Sequence, residues 1–168
     1  MLYLKQANLS DIQKEYDVIT NLPLNENGFT NEYSNCTFEE FKNKILPSFI
    51  NASKGIDLRA GYVPDTTYFL WDDNHIVGVF HFRHYLNKWL KENAGHIGYC
   101  VLKGYRRNGY ATKGLHLLLE EIKDVVQEDE IYLSCHKDNP ASFKTMLNNG
   151  GYLHHEDDEE YYVRIPLK

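Results

Sequence analysis

The sequence predicts a mixed α/β (α+β) fold with the element order β-α-α-β-β-β-α-β-α-β-β. Short segments rich in β-branched and aromatic residues are typical of strands. Between them, apolar residues recur three and four positions apart, which is typical of helices that pack by one face. The chain has 168 residues and no break in composition, so we expect residues 1–168 to form a single domain.

The first third of the chain predicts one strand and two helices. A strand from Leu2 to Lys5 precedes a helix from Asp11 to about Asn21, which has one apolar face. Residues 24–35 have no period and are rich in Asn and Gly, so we expect a surface loop that could shape a substrate entrance. Thr37 to Glu40 match the capping-box pattern that begins a second helix, with Pro47 as a kink or an end.

The middle of the chain predicts a hairpin and a third strand. The runs Thr66 to Trp71 and Ile76 to His84 flank the turn sequence of residues 72–75. A loop that contains residues 86–93 follows, and the strand Gly95 to Leu102 comes after it. This order places three consecutive strands before the next helix.

The last third predicts alternating helices and strands. A helix from about Ala111 to Val126 leads to the strand Ile131 to His136 and a short helix from Pro140 to Asn148. Two strands, Gly151 to His154 and Tyr161 to Leu167, then close the chain around an acidic turn.

Charge and composition exclude some partners. The net charge of −6 argues against nonspecific nucleic-acid binding, so we expect no nucleic-acid partner and a cationic or neutral substrate. Cys36, Cys100 and Cys135 have neither paired nor metal-ligand spacing, so we expect free thiols and no metal. No leader pattern or long apolar segment is present in the sequence, which favours a cytoplasmic protein without a membrane partner.

The most informative segment is Arg106-Arg107-Asn108-Gly109-Tyr110-Ala111, where a strand gives way to a helix. A helix N-terminus presents unpaired N–H groups and the positive end of its dipole, and two guanidinium groups precede it here. Gly109 lets a ligand approach the backbone closely. The segment therefore predicts a phosphate or pyrophosphate site.

Three ligand classes compete for such a turn. A nucleoside-triphosphate loop needs Lys and Ser or Thr after its second glycine, but Tyr110 and Ala111 follow Gly109. A dinucleotide fingerprint needs an acidic residue at the end of the next strand, which ends instead in Cys135-His136. The third class is the pyrophosphate of coenzyme A, whose pattern is Arg or Gln, two residues, Gly, one residue, then Gly or Ala.

Arg106-x-x-Gly109-x-Ala111 resembles the acyl-CoA motif of the GNAT superfamily of N-acetyltransferases. His96 to Val101 resemble the strand that precedes this motif, and Asp138 to Ser142 resemble the Asn-x-x-Ser segment that opens the next helix. Gly61 to Pro64, followed by Thr66 to Leu70, make the likeness closest to the bacterial subgroup of predicted acetyltransferases. The resemblance implies a mostly antiparallel, twisted sheet whose central parallel strands splay apart.

The same resemblance implies acetyl-CoA as cosubstrate, held between the strands that end near Val101 and His136. Backbone groups of the first strand would bind the pantetheine arm, and amides at the helix start would bind the pyrophosphate. The cofactor-binding residues it implies are Cys100, Val101, Arg106, Arg107, Asn108, Gly109, Tyr110, Ala111, Thr112, Asn139 and Ser142.

The resemblance also implies a base for the amine and a donor for the thiolate. His96 is the first candidate base, because its pKa range suits the task and relatives often carry Glu at this position. A one-residue shift would turn His96 outward or into the core, and Glu92 is the reserve. Relatives often use a Tyr as the acid where this chain has Met146. Ser142 and Tyr152 are the alternative donors, and Ser142 is equally suited to helix capping.

The function that the resemblance implies is acetyl transfer from acetyl-CoA to a primary amine of a small molecule, a protein N-terminus or a lysine. The amine would attack directly in a ternary complex. Phe29, Tyr33 and Trp89 are candidates for the acceptor site, although core or dimer contacts explain them equally well. A catalytically silent acyl-CoA-binding or regulatory module is the alternative, and a nucleotide-binding protein is a third class. Many relatives are dimers, so a homodimer is a further implied partner.

Overall fold

A computed structural model describes residues 1–167. Its elements follow the predicted order, with a short extra hairpin and a short extra helix. The elements are β1 (Leu2–Gln6), α1 (Ile12–Asn21), β2 (Asn25–Glu26), β3 (Phe29–Thr30), α2 (Phe38–Glu40), α3 (Leu46–Ser53), β4 (Asp65–Asp72), β5 (His75–Arg83), α4 (Lys88–Glu92), β6 (Ile97–Val101), α5 (Tyr110–Ile122), β7 (Glu130–His136), α6 (Pro140–Asn148), β8 (Tyr152–Glu156) and β9 (Glu160–Pro166).

The strands form two main sheets in which all the observed pairings are antiparallel. One sheet has the order β1-β4-β5-β6, and the other has the order β7-β9-β8. The strands β6 and β7 meet where both begin, because the N–H of His96 donates to the carbonyl of Tyr132 at 2.7 Å. Beyond this point they separate, and a cleft lies between them. The predicted mixed fold with splayed central strands is confirmed.

Helices cover both faces of the four-stranded sheet. On one face, α5 packs Leu115 and Leu118 against the Phe80 side of the sheet. On the other face, Phe41 and Leu46 pack with other apolar residues against Phe69, Trp71 and Val79. Full burial of each such side chain contributes about 1.5–3 kcal/mol, so the alternation along β4 and β5 holds both layers in place.

The predicted loop over residues 24–35 is wrong in part, because β2 and β3 form a hairpin there. Its turn residues, Asn27 and Gly28, both have positive φ (53° and 84°). Asn-Gly is the commonest sequence for this two-residue turn, so the signal was present in the sequence.

Two further elements differ from the prediction. Residues 86–93 contain the helix α4, and the Asn87 side chain caps it by accepting from the N–H of Leu90 at 2.8 Å. Thr37 and Glu40 do form the predicted capping box, but the helix then widens through a π-helical stretch, Phe41–Ile45, before α3. Among residues 1–167, no helix is both long enough and apolar enough to span a bilayer.

Candidate active site

A cleft of about 910 Å³ lies between β6 and β7, and we call it the β6–β7 cleft. The starts of α5 and α6 and the β2–β3 hairpin line it together with the two strands. The hairpin lies close to β7, because a side chain added at Gly28 would come within 2.5 Å of the His136 ring. The cleft is therefore bounded by both sheets and by the segment predicted as an entrance loop.

The turn before α5 presents free backbone donors to this cleft. Arg107 and Gly109 both have positive φ (66° and 77°), and Gly109 is the N-cap residue of α5. In the described chain no side chain caps this helix, and its first backbone bond runs from Lys113 N to Gly109 O. The N–H groups of the residues between them have no intrahelical acceptor, so they are free for an anion.

The Arg106 side chain is held by the protein rather than extended into solvent. Its Nε donates to the carbonyl of Val101 at 3.0 Å, and its guanidinium forms an ion pair with Glu26 of the hairpin. Arg107 is exposed beside it. The guanidinium of Arg106 thus joins the end of β6, the turn and the hairpin.

Nearly all residues predicted to bind the cofactor line the β6–β7 cleft. Asn108 is the exception, because its amide turns back to the carbonyls of Tyr105 and Arg106. The predicted residues that line the cleft are Cys100, Val101, Arg106, Arg107, Gly109, Tyr110, Ala111, Thr112, Asn139 and Ser142.

Two cysteines line the cleft, Cys100 on β6 and Cys135 on β7. Burial raises the pKa of the Cys100 thiol to about 12 and that of the Cys135 thiol to about 11. Both thiols are therefore protonated at neutral pH, and a protonated thiol is a poor nucleophile.

Ser142 belongs to a hydrogen-bonded pair inside the cleft. Its hydroxyl lies 2.8 Å from the phenol of Tyr99, and its backbone N–H donates to the Asn139 side chain, which caps α6. Burial raises the pKa of Tyr99, so its phenol keeps its proton. The Ser142 hydroxyl therefore does not cap the helix. It lies next to the phenol of Tyr99, a second proton donor that the sequence analysis did not predict.

His96 is fully buried and does not line the β6–β7 cleft. Its Nδ1 accepts from the N–H of Tyr132 at 3.0 Å, and its Nε2 lies 3.0 Å from a Glu128 oxygen. Burial lowers the pKa of His96, although the hydrogen bond to Glu128 opposes this shift. Both ring nitrogens are occupied, by β7 and by the segment before it, so the geometry gives no support to the predicted role of base.

The reserve candidates also lie away from the cleft. Glu92 is exposed at the end of α4 and does not line it. Tyr152 is exposed on β8, where its phenol donates to Glu130 at 2.6 Å. Met146 is buried but does line the cleft, at the position where relatives often carry Tyr.

A second pocket, of about 570 Å³, lies over β4 and β5, and we call it the β4–β5 pocket. Polar side chains of β4 and β5 form its floor. Aromatic side chains form its walls, among them the three candidates for the acceptor site. These walls include Phe29, Tyr33, Phe49 and Trp89.

His81 stands on the floor of the β4–β5 pocket. Its Nδ1 lies 3.1 Å from the Thr67 hydroxyl, and the ring of Phe29 stacks on it with centroids 5.4 Å apart. Burial lowers the pKa of His81 to about 4, so its ring is neutral at physiological pH. When Nδ1–H donates to Thr67, the Nε2 lone pair is left free to accept a proton.

The two pockets meet beside His81. Phe29, Thr30 and Trp89 line both of them. His81 pairs directly with Gly98 of β6, and directly opposed residues share a face of the sheet. Within residues 1–167, and apart from the two neighbours in the chain, a Cβ atom added at Gly98 would meet no atom within 4 Å. Gly98 therefore leaves open space between the cleft and His81.

The sequence missed His81 because a histidine inside an apolar strand is most simply a core residue. The usable signal was its register: Thr67 and His81 place polar groups on the sheet face that carries the apolar side chains of Phe69 and Val79. Within residues 1–167, no group of three or more His, Cys, Asp or Glu side chains is arranged to hold a metal ion.

Comparisons with known proteins identify the family of this chain. The acetyltransferase (GNAT) family matches residues 27–150. Since this match covers most of the chain, the chain belongs to the GNAT family and is an acetyl-CoA-dependent N-acetyltransferase by class. A comparison with curated protein sequences gives no significant match.

Solved structures share the fold over almost the whole chain. The spermidine N-acetyltransferase of Vibrio cholerae, in complex with CoA and spermine, has a TM-score of 0.66 at 12% identity, covering 99% of this chain and 95% of that one. An acetyltransferase of Salmonella typhimurium that modifies the N-terminal serine of ribosomal protein L7/L12 has a TM-score of 0.61 at 20% identity, covering 97% and 91%.

The microcin C7 self-immunity acetyltransferase, in complex with acetyl-CoA and AMP, has a TM-score of 0.69 at 16% identity, covering 98% of this chain and 92% of that one. The Vibrio cholerae and Salmonella typhimurium proteins act on chemically different acceptors, spermidine and the N-terminal serine of a protein. The shared fold therefore leaves the acceptor of this chain to be argued from its own residues.

Proposed function

We propose that this protein transfers the acetyl group of acetyl-CoA to a primary amine by direct attack in a ternary complex. The observation that carries the proposal is the meeting of two pockets at Gly98 and His81. The β6–β7 cleft would hold the donor and the β4–β5 pocket the acceptor. Bound acetyl-CoA would supply the thioester, which is the activated acyl group.

The cleft fits an acyl-CoA by its chemistry. The uncapped start of α5 offers backbone donors to a pyrophosphate, with Arg107 beside it. The separated strands offer backbone groups of Cys100 and Val101 to an extended arm. Arg106 is assigned mainly to positioning the turn, because Val101 and Glu26 already engage it.

Direct attack is favoured over an acetylated cysteine intermediate. Cys100 and Cys135 are the thiols that line the cleft, and burial raises the pKa of both to well above neutrality. Covalent catalysis by cysteine requires a thiolate, which these surroundings disfavour.

His81 is the base in this proposal. Its Nε2 lone pair can take the proton released when the amine nitrogen bonds to the acyl carbon, and because burial lowers the pKa of His81 to about 4, the ring holds this proton only briefly before losing it to solvent. Thr67 fixes the ring through Nδ1, and Phe29 holds its plane. The proton donor for the leaving thiolate is the Ser142 hydroxyl, which the neighbouring Tyr99 phenol can reprotonate.

The test is thiol release from acetyl-CoA over a panel of primary amines, with CoA binding measured in parallel. The proposal expects amine-dependent thiol release and an equal amount of N-acetylated product. Tight CoA binding without turnover on any amine would instead favour the silent acyl-CoA-binding module.

A further inference from the structure

The β4–β5 pocket contains an acidic and a basic side chain that the mechanism above does not use. Asp65 and Arg83 are direct partners across β4 and β5, and both line the pocket. They lie on the same face as Thr67 and His81, because residues two apart on a strand point the same way. The far end of the pocket floor therefore carries one negative and one positive group.

Asp65 and Arg83 do not neutralise each other by contact. Within residues 1–167, the Asp65 carboxylate takes part in no ion pair and accepts no hydrogen bond from a side chain or backbone group. Arg83 donates one hydrogen bond, from its guanidinium to the carbonyl of Gly95 at 3.2 Å. Both residues are half-buried, and burial raises the pKa of Asp65 and lowers that of Arg83. Charged groups in such surroundings are stabilised by partners, and a ligand can supply them.

The spacing between this charged pair and His81 limits the shape of the ligand. Two residues along a strand span about 6.6 Å. If the amine nitrogen of a ligand reacts beside His81, the ligand groups that contact Asp65 and Arg83 would therefore lie roughly the length of one extended lysine side chain from that nitrogen. The aromatic rings of Tyr33 and Phe49 line the pocket walls and suit a methylene chain.

We propose that the acceptor is a free α-amino acid whose side chain ends in the reacting amine, with the length of lysine. Its α-carboxylate binds Arg83, its α-ammonium binds Asp65, and its side-chain nitrogen attacks beside His81. The attack beside His81 rests on the proposed function. The contacts with Arg83 and Asp65 rest on the pocket alone.

This proposal separates the protein from enzymes for two other acceptor classes. A polyamine has no carboxylate, so it would leave Arg83 without an anionic partner and bring a like charge towards it. A lysine inside a protein has neither a free α-ammonium nor a free carboxylate. Both classes should therefore be poor acceptors.

The first experiment compares L-lysine with two analogues that each lack one charged group. Cadaverine lacks the carboxylate, and 6-aminohexanoate lacks the α-ammonium. We expect kcat/KM for lysine to exceed that for either analogue by about tenfold or more, since each lost contact is a charge-assisted hydrogen bond. Mass spectrometry should place the acetyl group on the side-chain nitrogen. Equal or better turnover of cadaverine or spermidine, or acetylation of the α-nitrogen, would overturn the proposal.

The second experiment assigns each charge to one residue. Asp65→Asn should raise KM about tenfold for lysine and cadaverine but not for 6-aminohexanoate. Arg83→Gln should raise KM for lysine and 6-aminohexanoate but not for cadaverine, and Arg83→Lys should restore part of the loss. Asp124→Asn, at an exposed acid outside both pockets, is the matched control and should change none of these values. Losses that are equal for all three amines would contradict the assignment.

Measurements of ligand binding test the amino-acid site even if no amine is acetylated. Calorimetric titration of the CoA-saturated protein should then show tighter binding of lysine than of cadaverine or 6-aminohexanoate, and Asp65→Asn should abolish the difference from 6-aminohexanoate. That result would reject the proposed transfer and keep the amino-acid site. Equal binding of the three compounds, or none, would reject the amino-acid site itself.

Discussion

The β6–β7 cleft and the β4–β5 pocket present different kinds of chemical group to a ligand. The cleft presents mainly backbone groups, which come from strand edges and from the uncapped start of α5. The pocket presents side chains, with polar groups on its floor and aromatic rings on its walls. A site built from backbone depends on chain conformation and tolerates side-chain changes, whereas a site built from side chains changes its ligand with each substitution. This difference explains why the fold is shared by proteins with unlike acceptors.

The largest effect is expected from His81→Gln, on the side-chain site. Loss of a positioned base typically lowers the rate by about 10²- to 10⁴-fold, so kcat should fall by this factor while KM for acetyl-CoA stays nearly unchanged. Steady-state thiol release measures both constants. His84→Gln is the control, because His84 bonds Thr66 and lines neither pocket. A fall of less than about threefold in His81→Gln would remove His81 from the mechanism.

The next largest effect is expected from Ser142→Ala. Loss of the proton donor should lower kcat about a hundredfold, at the low end for a positioned acid. Tyr99→Phe keeps the ring stacked on Phe80 and should lower kcat less, since Ser142 remains. Tyr152→Phe alters an exposed tyrosine outside the cleft and should change nothing. Unchanged turnover in Ser142→Ala would show that its hydroxyl carries no proton in the reaction.

A smaller effect is expected from Gly109→Ala, which strains the turn before α5 in the β6–β7 cleft. Gly109 has φ of 77°, and an alanine there costs about 1–2 kcal/mol in the left-handed region. We expect Gly109→Ala to weaken CoA binding about tenfold, measured by calorimetry, with little change in KM for the amine. Gly104→Ala, in the same segment but with open space and no positive φ, should bind CoA normally. If the two variants bind CoA equally, the conformation of the turn does not matter for the cofactor.

Glu26→Gln tests the contact between the hairpin and the turn. The Glu26–Arg106 pair is partly exposed, and such pairs contribute at most about 1 kcal/mol. Removing the carboxylate frees the Arg106 guanidinium for a phosphate, so CoA affinity should rise about threefold, and more at low salt. Weaker CoA binding in Glu26→Gln would instead mean that the hairpin must be held closed for the cofactor to bind.

The smallest effect concerns the dependence of stability on pH. Burial lowers the pKa of His81 to about 4 in the folded state, while an unfolded histidine titrates near pH 6.5. Between these values the unfolded chain binds the extra proton, so folding stability falls as the pH drops from 6.5 towards 4. The melting temperature of His81→Gln, measured by scanning calorimetry, should therefore fall less between pH 6.5 and pH 4 than that of the native chain. An identical loss in both proteins would mean that His81 is not buried in the neutral form.

The sequence predicted the backbone site far better than the side-chain site, for a physical reason. The donors of the cleft come from one short segment, Arg106 to Ala111, whose pattern can be seen without knowing the fold. The floor of the pocket joins Asp65 and Thr67 to His81 and Arg83 through strand register, which hydrophobic patterns set only approximately. Its walls come from Phe29 and Trp89, which meet only in the folded chain.

His96 is the opposite case, because the sequence predicted a catalytic role for a residue that the fold uses for structure. Its position in the strand suggested a catalytic group, but a change of one residue decides whether a strand side chain faces a cleft or the core. The two partners that occupy its ring, Tyr132 and Glu128, lie more than thirty positions away along the chain. No local pattern could have revealed them.

The central claim is that donor and acceptor sites meet across β6 at Gly98 and His81. A crystal structure with CoA and L-lysine bound tests it most directly. We expect the CoA sulfur within hydrogen-bonding reach of Ser142, and the amine of the acceptor beside His81, on the Gly98 side of the strand. A sulfur remote from Gly98, or an acceptor bound outside the β4–β5 pocket, would contradict it.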